Sequence, residues 1–141
     1  MSSWYLQSKK FSLDYQIEVQ ENIIKLIEFI YSDGNYGIMW KAVISSCFGL
    51  NSLFYYRKGD YGNAFRSLRK SAELAVKFDS LDRFSTMHSP LFEGHIFDKD
   101  AKDRDFVAVE HLRNNILNDY GFSDEFKSTS EFREIVAILE R

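Results

Sequence analysis

The sequence predicts an all-α domain made of antiparallel helical hairpins. Three observations carry that expectation. Apolar residues recur near the 3.6-residue helical period in successive stretches, and no segment alternates convincingly with a period of two. One Pro and 7 Gly in 141 residues leave little material for the many turns of an all-β fold. The chain is 45% hydrophobic and 16% aromatic, with 13 Phe and 8 Tyr, which suits one domain with a packed core and speaks against disorder.

Residues 1–12 read as an N-terminal arm carrying Trp4, Tyr5 and Phe11, and residues 13–141 as a single helical domain. The first helix is expected from Asp14 to Tyr31. Ile17, Ile24, Ile27 and Ile30 or Tyr31 form its stripe, and Glu21 is spaced to pair with Lys25. Ser32-Asp33-Gly34-Asn35 ends it, with Gly34 suited to a left-handed cap. A second, strongly apolar helix follows from Tyr36 to Lys58 and is broken at Gly59-Asp60. The third runs from Tyr61 to Phe78, with Ala64, Leu68, Ala72 and Ala75 on its packing face and Arg66, Arg69, Lys70 and Lys77 turned mostly away as a solvated face. Between Ser80 and Asp100 the reading is a short helix near Ser89 to Gly94 and then a loop. Asp103 or Asp105 is placed to cap a fourth helix bearing Phe106, Val109, Leu112, Ile116 and Leu117, stopped by Gly121. Ser128 and Glu131 have capping-box spacing for a last helix with Phe132, Ile135, Val136 and Leu139.

Several function classes are disfavoured by bulk properties. A net charge of −3 gives no general attraction to nucleic acid or anionic membrane. A single cysteine, Cys47, forms no internal disulfide and suits a reducing cytoplasm. No apolar run reaches spanning length, and Met1-Ser2-Ser3-Trp4 lacks a signal-peptide layout. The expected location is cytoplasmic.

The stretch from Ser45 to Val76 is the most informative. Phe48, Tyr55-Tyr56, Gly59-Asp60-Tyr61, Ala64, Leu68 and Ser71-Ala72 stand at the spacings of a tetratricopeptide-type helix hairpin. Small residues at Ala64 and Ser71-Ala72 admit close helix approach, Phe48 fills the space between helices, and Gly59 allows the reversal. Asn51 departs from the motif, which has Leu there. The expected fold is therefore a stack of such hairpins, about five to seven helices with right-handed superhelical stacking. Such hairpins line a groove with their first helix. Counting along it places Ser46, Gly49, Leu53, Tyr56 and Arg57 on that face, with Asn51 as a candidate polar contact. Leu53, Tyr56, Arg57 and Asn51 are the candidate partner-binding residues: Arg57 to hold a carboxylate, Tyr56 to stack or hydrogen-bond.

Gly59-Asp60-Tyr61 through Ala64, followed by Ser71-Ala72-Glu73-Leu74-Ala75-Val76-Lys77-Phe78-Asp79, resembles a signature of one bacterial family. So do Ser85 to Phe92 and the closing helix with Ser130-Glu131-Phe132-Arg133-Glu134-Ile135. The chain from about residue 14 onward resembles the C-terminal tetratricopeptide-like domain of Xre-type helix-turn-helix transcriptional regulators of Gram-positive bacteria. The resemblance implies a cytoplasmic regulatory protein that dimerises through this domain. It transfers no catalytic residues. Those regulators carry a helix-turn-helix domain at the N-terminus, and nothing before Asp14 is long enough to be one. The two expectations are thus the sensor half of a regulator, touching DNA only indirectly, or a stand-alone homodimeric scaffold or adaptor.

No enzyme is expected, and neither a cofactor nor a metal. His88 and His95, with Glu93, Asp98 and Asp100 nearby, match no compact metal-ligand spacing. Asp98, Asp100, Asp103 and Asp105 are interleaved with Lys99, Lys102 and Arg104 and lack the Gly and Glu of a calcium loop. Cys47 reads as a buried small hydrophobe.

Overall fold

The computed structural model describes residues 12–101 and 104–141. The aromatic arm with Trp4, Tyr5 and Phe11, and the candidate cap Asp103, lie outside the described residues.

Helix α1 spans Leu13–Ile30 and is opened by Ser12, whose hydroxyl accepts from the Tyr15 N–H. It buries Ile17, Ile24 and Ile27, and with them Gln16 and Gln20. Gly34, in the left-handed region at φ 82°, turns the chain after it. A 3-10 turn, Gly37–Met39, leads into α2, which occupies residues 40–58. Lys58 at the end of α2 meets Asp14 at the start of α1 across 2.5 Å, so the two helices run antiparallel.

Helix α2 is not uniform. Trp40–Ala42 and Leu50–Lys58 are α-helical, but Val43–Gly49 is wound as π-helix. Winding at i→i+5 leaves carbonyls poorly served by the helix ladder, and neighbouring side chains supply donors. Ser71 Oγ donates to the Ile44 carbonyl at 2.6 Å and Ser67 Oγ to that of Phe48 at 2.9 Å. Gln20 Nε2 reaches the carbonyls of Ser46 and Cys47. Gln20 of α1 and Ser67 and Ser71 of α3 are buried polar residues that satisfy this segment.

Gly59, at φ 88°, closes α2, and Asp60 caps α3 (Tyr61–Ser80) by accepting from the Asn63 N–H. Ala64, Leu68, Ala72 and Ala75 are fully buried, so α3 sits close to its neighbours. It packs on α2 on one side and on the later helices on the other.

The segment after α3 differs from expectation. It holds an antiparallel hairpin, β1 (Phe84–Thr86) with β2 (Ile96–Asp98), paired Phe84 to Asp98, Ser85 to Phe97 and Thr86 to Ile96. The domain is mostly helical rather than all-α. Strands of three residues are too short to display a period of two. The expected short helix is one 3-10 turn, Pro90–Phe92. Asp33 ties it down: its carboxylate accepts from Ser89 Oγ at 2.6 Å and from the His88 N–H at 2.7 Å, and Phe92 stacks on Tyr31.

Helix α4 (Ala108–Asn114) continues as a π-wound end, Asn115–Asp119. Its cap is not Asp105. Asp79, at the end of α3, accepts from the Ala108 N–H at 2.8 Å and the Val109 N–H at 2.9 Å. In return Lys99 Nζ donates to the carbonyls of Phe78, Asp79 and Leu81, placing a cation at the C-terminus of α3. Short α5 (Asp124–Lys127) and α6 (Ser130–Leu139) complete the chain. Thr129, not Ser128, caps α6, because Ser128 is used to end α5. Phe122, Phe126, Phe132, Tyr56, Tyr61 and Phe65 form one aromatic cluster that binds α5 and α6 to α2 and α3.

Candidate functional site

Helices α1, α2 and α3 leave a groove of about 330 Å³ across one face. Glu21 and Glu28 come from α1, Phe48, Asn51 and Tyr55 from α2, and Asn63, Arg66, Ser67 and Lys70 from α3. Asn51 and Tyr55 stand one helical turn apart and so share a face. Both reach Glu21: Asn51 Nδ2 donates to Oε1 at 2.6 Å and the Tyr55 hydroxyl at 3.0 Å. Glu21, expected to pair with Lys25 on the surface of α1, turns inward instead.

The bond to Glu21 fixes the orientation of the Asn51 amide, because a carboxylate only accepts. The other end, Asn51 Oδ1, is then an acceptor; it is buried, and among the described residues no group donates to it. Tyr55 titrates high, pushed up to about 12 by burial, by its bond to Glu21 and by the Glu21 charge. It stays a hydrogen-bond donor throughout the physiological range.

The four candidate binding residues fall in different places. Asn51 lines the groove. Leu53 is buried in the main core. Tyr56 packs edge-on against Phe122 and Phe126, and its hydroxyl accepts from the Ser123 N–H at 3.0 Å. Arg57 is exposed at the end of α2, outside the groove lining. The face carrying Gly49, Leu53 and Tyr56 is thus covered by the segment from Tyr120 to Phe126. Sequence reasoning missed Glu21, Tyr55, Arg66 and Lys70. The basic run on α3, expected as a solvated face, divides: Arg69 pairs with Glu134 at 3.0 Å, while Arg66 and Lys70 border the groove.

The chain matches no family model, no curated protein and no solved structure.

His88 Nδ1 lies 3.3 Å from Glu93. Among the described residues no group of three or more His, Cys, Asp or Glu side chains is arranged to hold a metal ion. Asp98 is engaged by Arg83 through both oxygens, at 3.1 and 3.3 Å. Cys47 is buried, and burial pushes its thiol up to about 11. Among the described residues no helix is long and apolar enough to cross a membrane.

Proposed function

We propose that this chain is a non-enzymatic regulatory module that binds a peptide, or an extended segment of a partner protein, in the groove across α1, α2 and α3. The observation that carries the reading is the Glu21 carboxylate, held in the groove lining by Asn51 and Tyr55. Asn51 Nδ2 and the Tyr55 hydroxyl both donate to Glu21, which fixes a charged carboxylate among the groove-lining side chains where a ligand's backbone N–H can meet it. Glu21 holds the amide in place, and Arg66 and Lys70 offer cations to acidic groups at the rim. A tyrosine held protonated, an amide and paired charges suit recognition better than proton transfer near neutral pH.

The finer reading is a tetratricopeptide-type stack in a cytoplasmic, Xre-like regulator, where ligand binding shifts hairpin packing and alters an attached or partner DNA-binding unit. It is supported by the sequence resemblance and by the Gly59-Asp60 turn with the tight α2–α3 approach. A second reading, a homodimeric scaffold, is favoured by Leu26 and Phe29, exposed three residues apart on the outer face of α1.

The experiment is to select peptides from a displayed random library on the intact chain and measure their affinity for variants. Asn51→Leu restores the motif's usual residue, removes one of the two donors that orient Glu21, and is expected to weaken binding by about 1 kcal/mol. The paired reversal Arg66→Glu with Lys70→Glu should weaken acidic peptides, while Arg57→Glu, outside the groove, serves as comparison. Selected peptides that bind Asn51→Leu as tightly as the parent would refute the groove reading.

A further inference from the structure

A second cavity, separate from the groove, lies where the β1–β2 hairpin folds over the start of α2 and the end of α3. Its volume is about 450 Å³. That falls in the range of roughly 300–1,000 Å³ typical of small-molecule sites. Trp40, Phe78, Met87, Phe97 and Phe106 contribute apolar walls, with Ile96 at the mouth. We propose that this cavity binds a small, uncharged aromatic or aliphatic molecule, which would bridge the hairpin to the helical body.

The charge arrangement selects that class. Aromatic boxes attract cations through their ring faces. Here three of those rings already carry a cation: Lys41 Nζ lies 4.5 Å from the Phe106 centroid, Lys99 Nζ 5.4 Å from that of Phe78 and Lys77 Nζ 6.0 Å from that of Trp40. A cationic ligand meets repulsion. Among the described lining residues the carboxylate is Asp98, and Arg83 engages both its oxygens, so it offers no counterion. An anion gains little: Lys99 spends its three donors on three backbone carbonyls, and the Lys41 ammonium is held against the face of Phe106. Carrying any charge into these walls costs its hydration without an equal return. An uncharged ligand loses little and gains the aromatic contacts.

The hairpin is anchored independently of any ligand. Asp33 holds Ser89 and His88, and Asn35 joins it by donating from Nδ2 to Ser85 Oγ at 2.9 Å and accepting from Trp40 Nε1 at 3.0 Å. The cavity is therefore framed by hydrogen bonds rather than dependent on its contents for shape.

The test uses N-phenyl-1-naphthylamine, a neutral apolar fluorophore, with the full chain. Saturable one-to-one binding is expected, with a raised melting temperature. Naphthalene should displace it and phenyltrimethylammonium should not. Ala101→Trp and Ile96→Lys, both at exposed lining positions, should keep the parent fold and weaken the probe by about tenfold or more. Non-saturable binding, undiminished binding in both folded variants, or equal displacement by the ammonium compound would overturn the proposal. Because none of these residues lines the α1–α3 groove, failure here leaves the peptide reading standing, and the reverse holds.

Discussion

Gly49 and Tyr120 approach so closely that a methyl group has no room between them: a Cβ on Gly49 would stand 2.5 Å from the tyrosine hydroxyl oxygen. Glycine inside a helix ordinarily destabilises, so replacement by alanine usually helps. Here the sign should reverse. Gly49→Ala is expected to cost about 1–3 kcal/mol by overpacking. Adding Tyr120→Phe removes the offending oxygen and should recover part of the loss, because the next ring atom is 3.5 Å away. Urea denaturation of the two single variants and the double variant measures this; a Gly49→Ala protein as stable as the parent would contradict the packing.

Asp79 joins two helices by capping one from the end of another. Asp79→Ala removes the acceptor for both the Ala108 and Val109 N–H groups, with an expected loss of about 1–2 kcal/mol. The effect should be local as well as global. Amide exchange in α4 should speed up more than exchange in α1, and equal changes in both would argue against the cap.

The Asp33 latch should respond to acid. Burial works to raise its pKa, but bonds from Ser89, His88 and Asn35 outweigh burial and hold the carboxyl below the usual carboxylate range. A depressed folded pKa means the stabilisation is complete above the unfolded value, near 3.9, and is lost as pH falls through the folded one. Amide protection in the β1–β2 hairpin should therefore fall below about pH 4 in the parent. In Asp33→Ala it should be low already at neutral pH and show less of this acid transition.

Cys47 should be nearly inert in the folded protein. It is buried, and its thiol is pushed up to about 11, so little thiolate forms at pH 8. Ellman's reagent should react slowly with the native chain and fast in urea. Fast native labelling would show that the π-wound part of α2 opens readily.

Helices with a clear apolar stripe were legible in the sequence. Ile17, Ile24 and Ile27 mark α1, Ala64 to Ala75 mark α3, and Phe132, Ile135 and Leu139 mark α6, because burial at one face forces the 3.6 period. The Gly59-Asp60 turn was equally plain, since a left-handed backbone selects glycine. The hairpin was hidden by its shortness, and the Asp79 cap by the 29 residues that separate it from Ala108.

The groove was legible only in part. Asn51 stood out as a polar residue in an apolar position. Leu53 and Tyr56 were counted onto the same open surface, but Leu53 lies about 200° from Asn51 at 100° per residue. The count also ran from Ser46 across the π-wound Val43–Gly49, which shifts the phase of everything after it. Finally, the return of Phe122 and Phe126 over Tyr56 is a long-range contact that no local spacing records.

The most direct test of the central claim is chemical-shift mapping of a library-selected peptide titrated into the ¹⁵N-labelled chain. Perturbations concentrated at Glu21, Asn51, Tyr55 and Arg66, with the Asn51 side-chain amide among the largest, are the expected result. Perturbations that spare α1 and α3 and gather elsewhere, while the Asn51 amide stays unmoved, would contradict it.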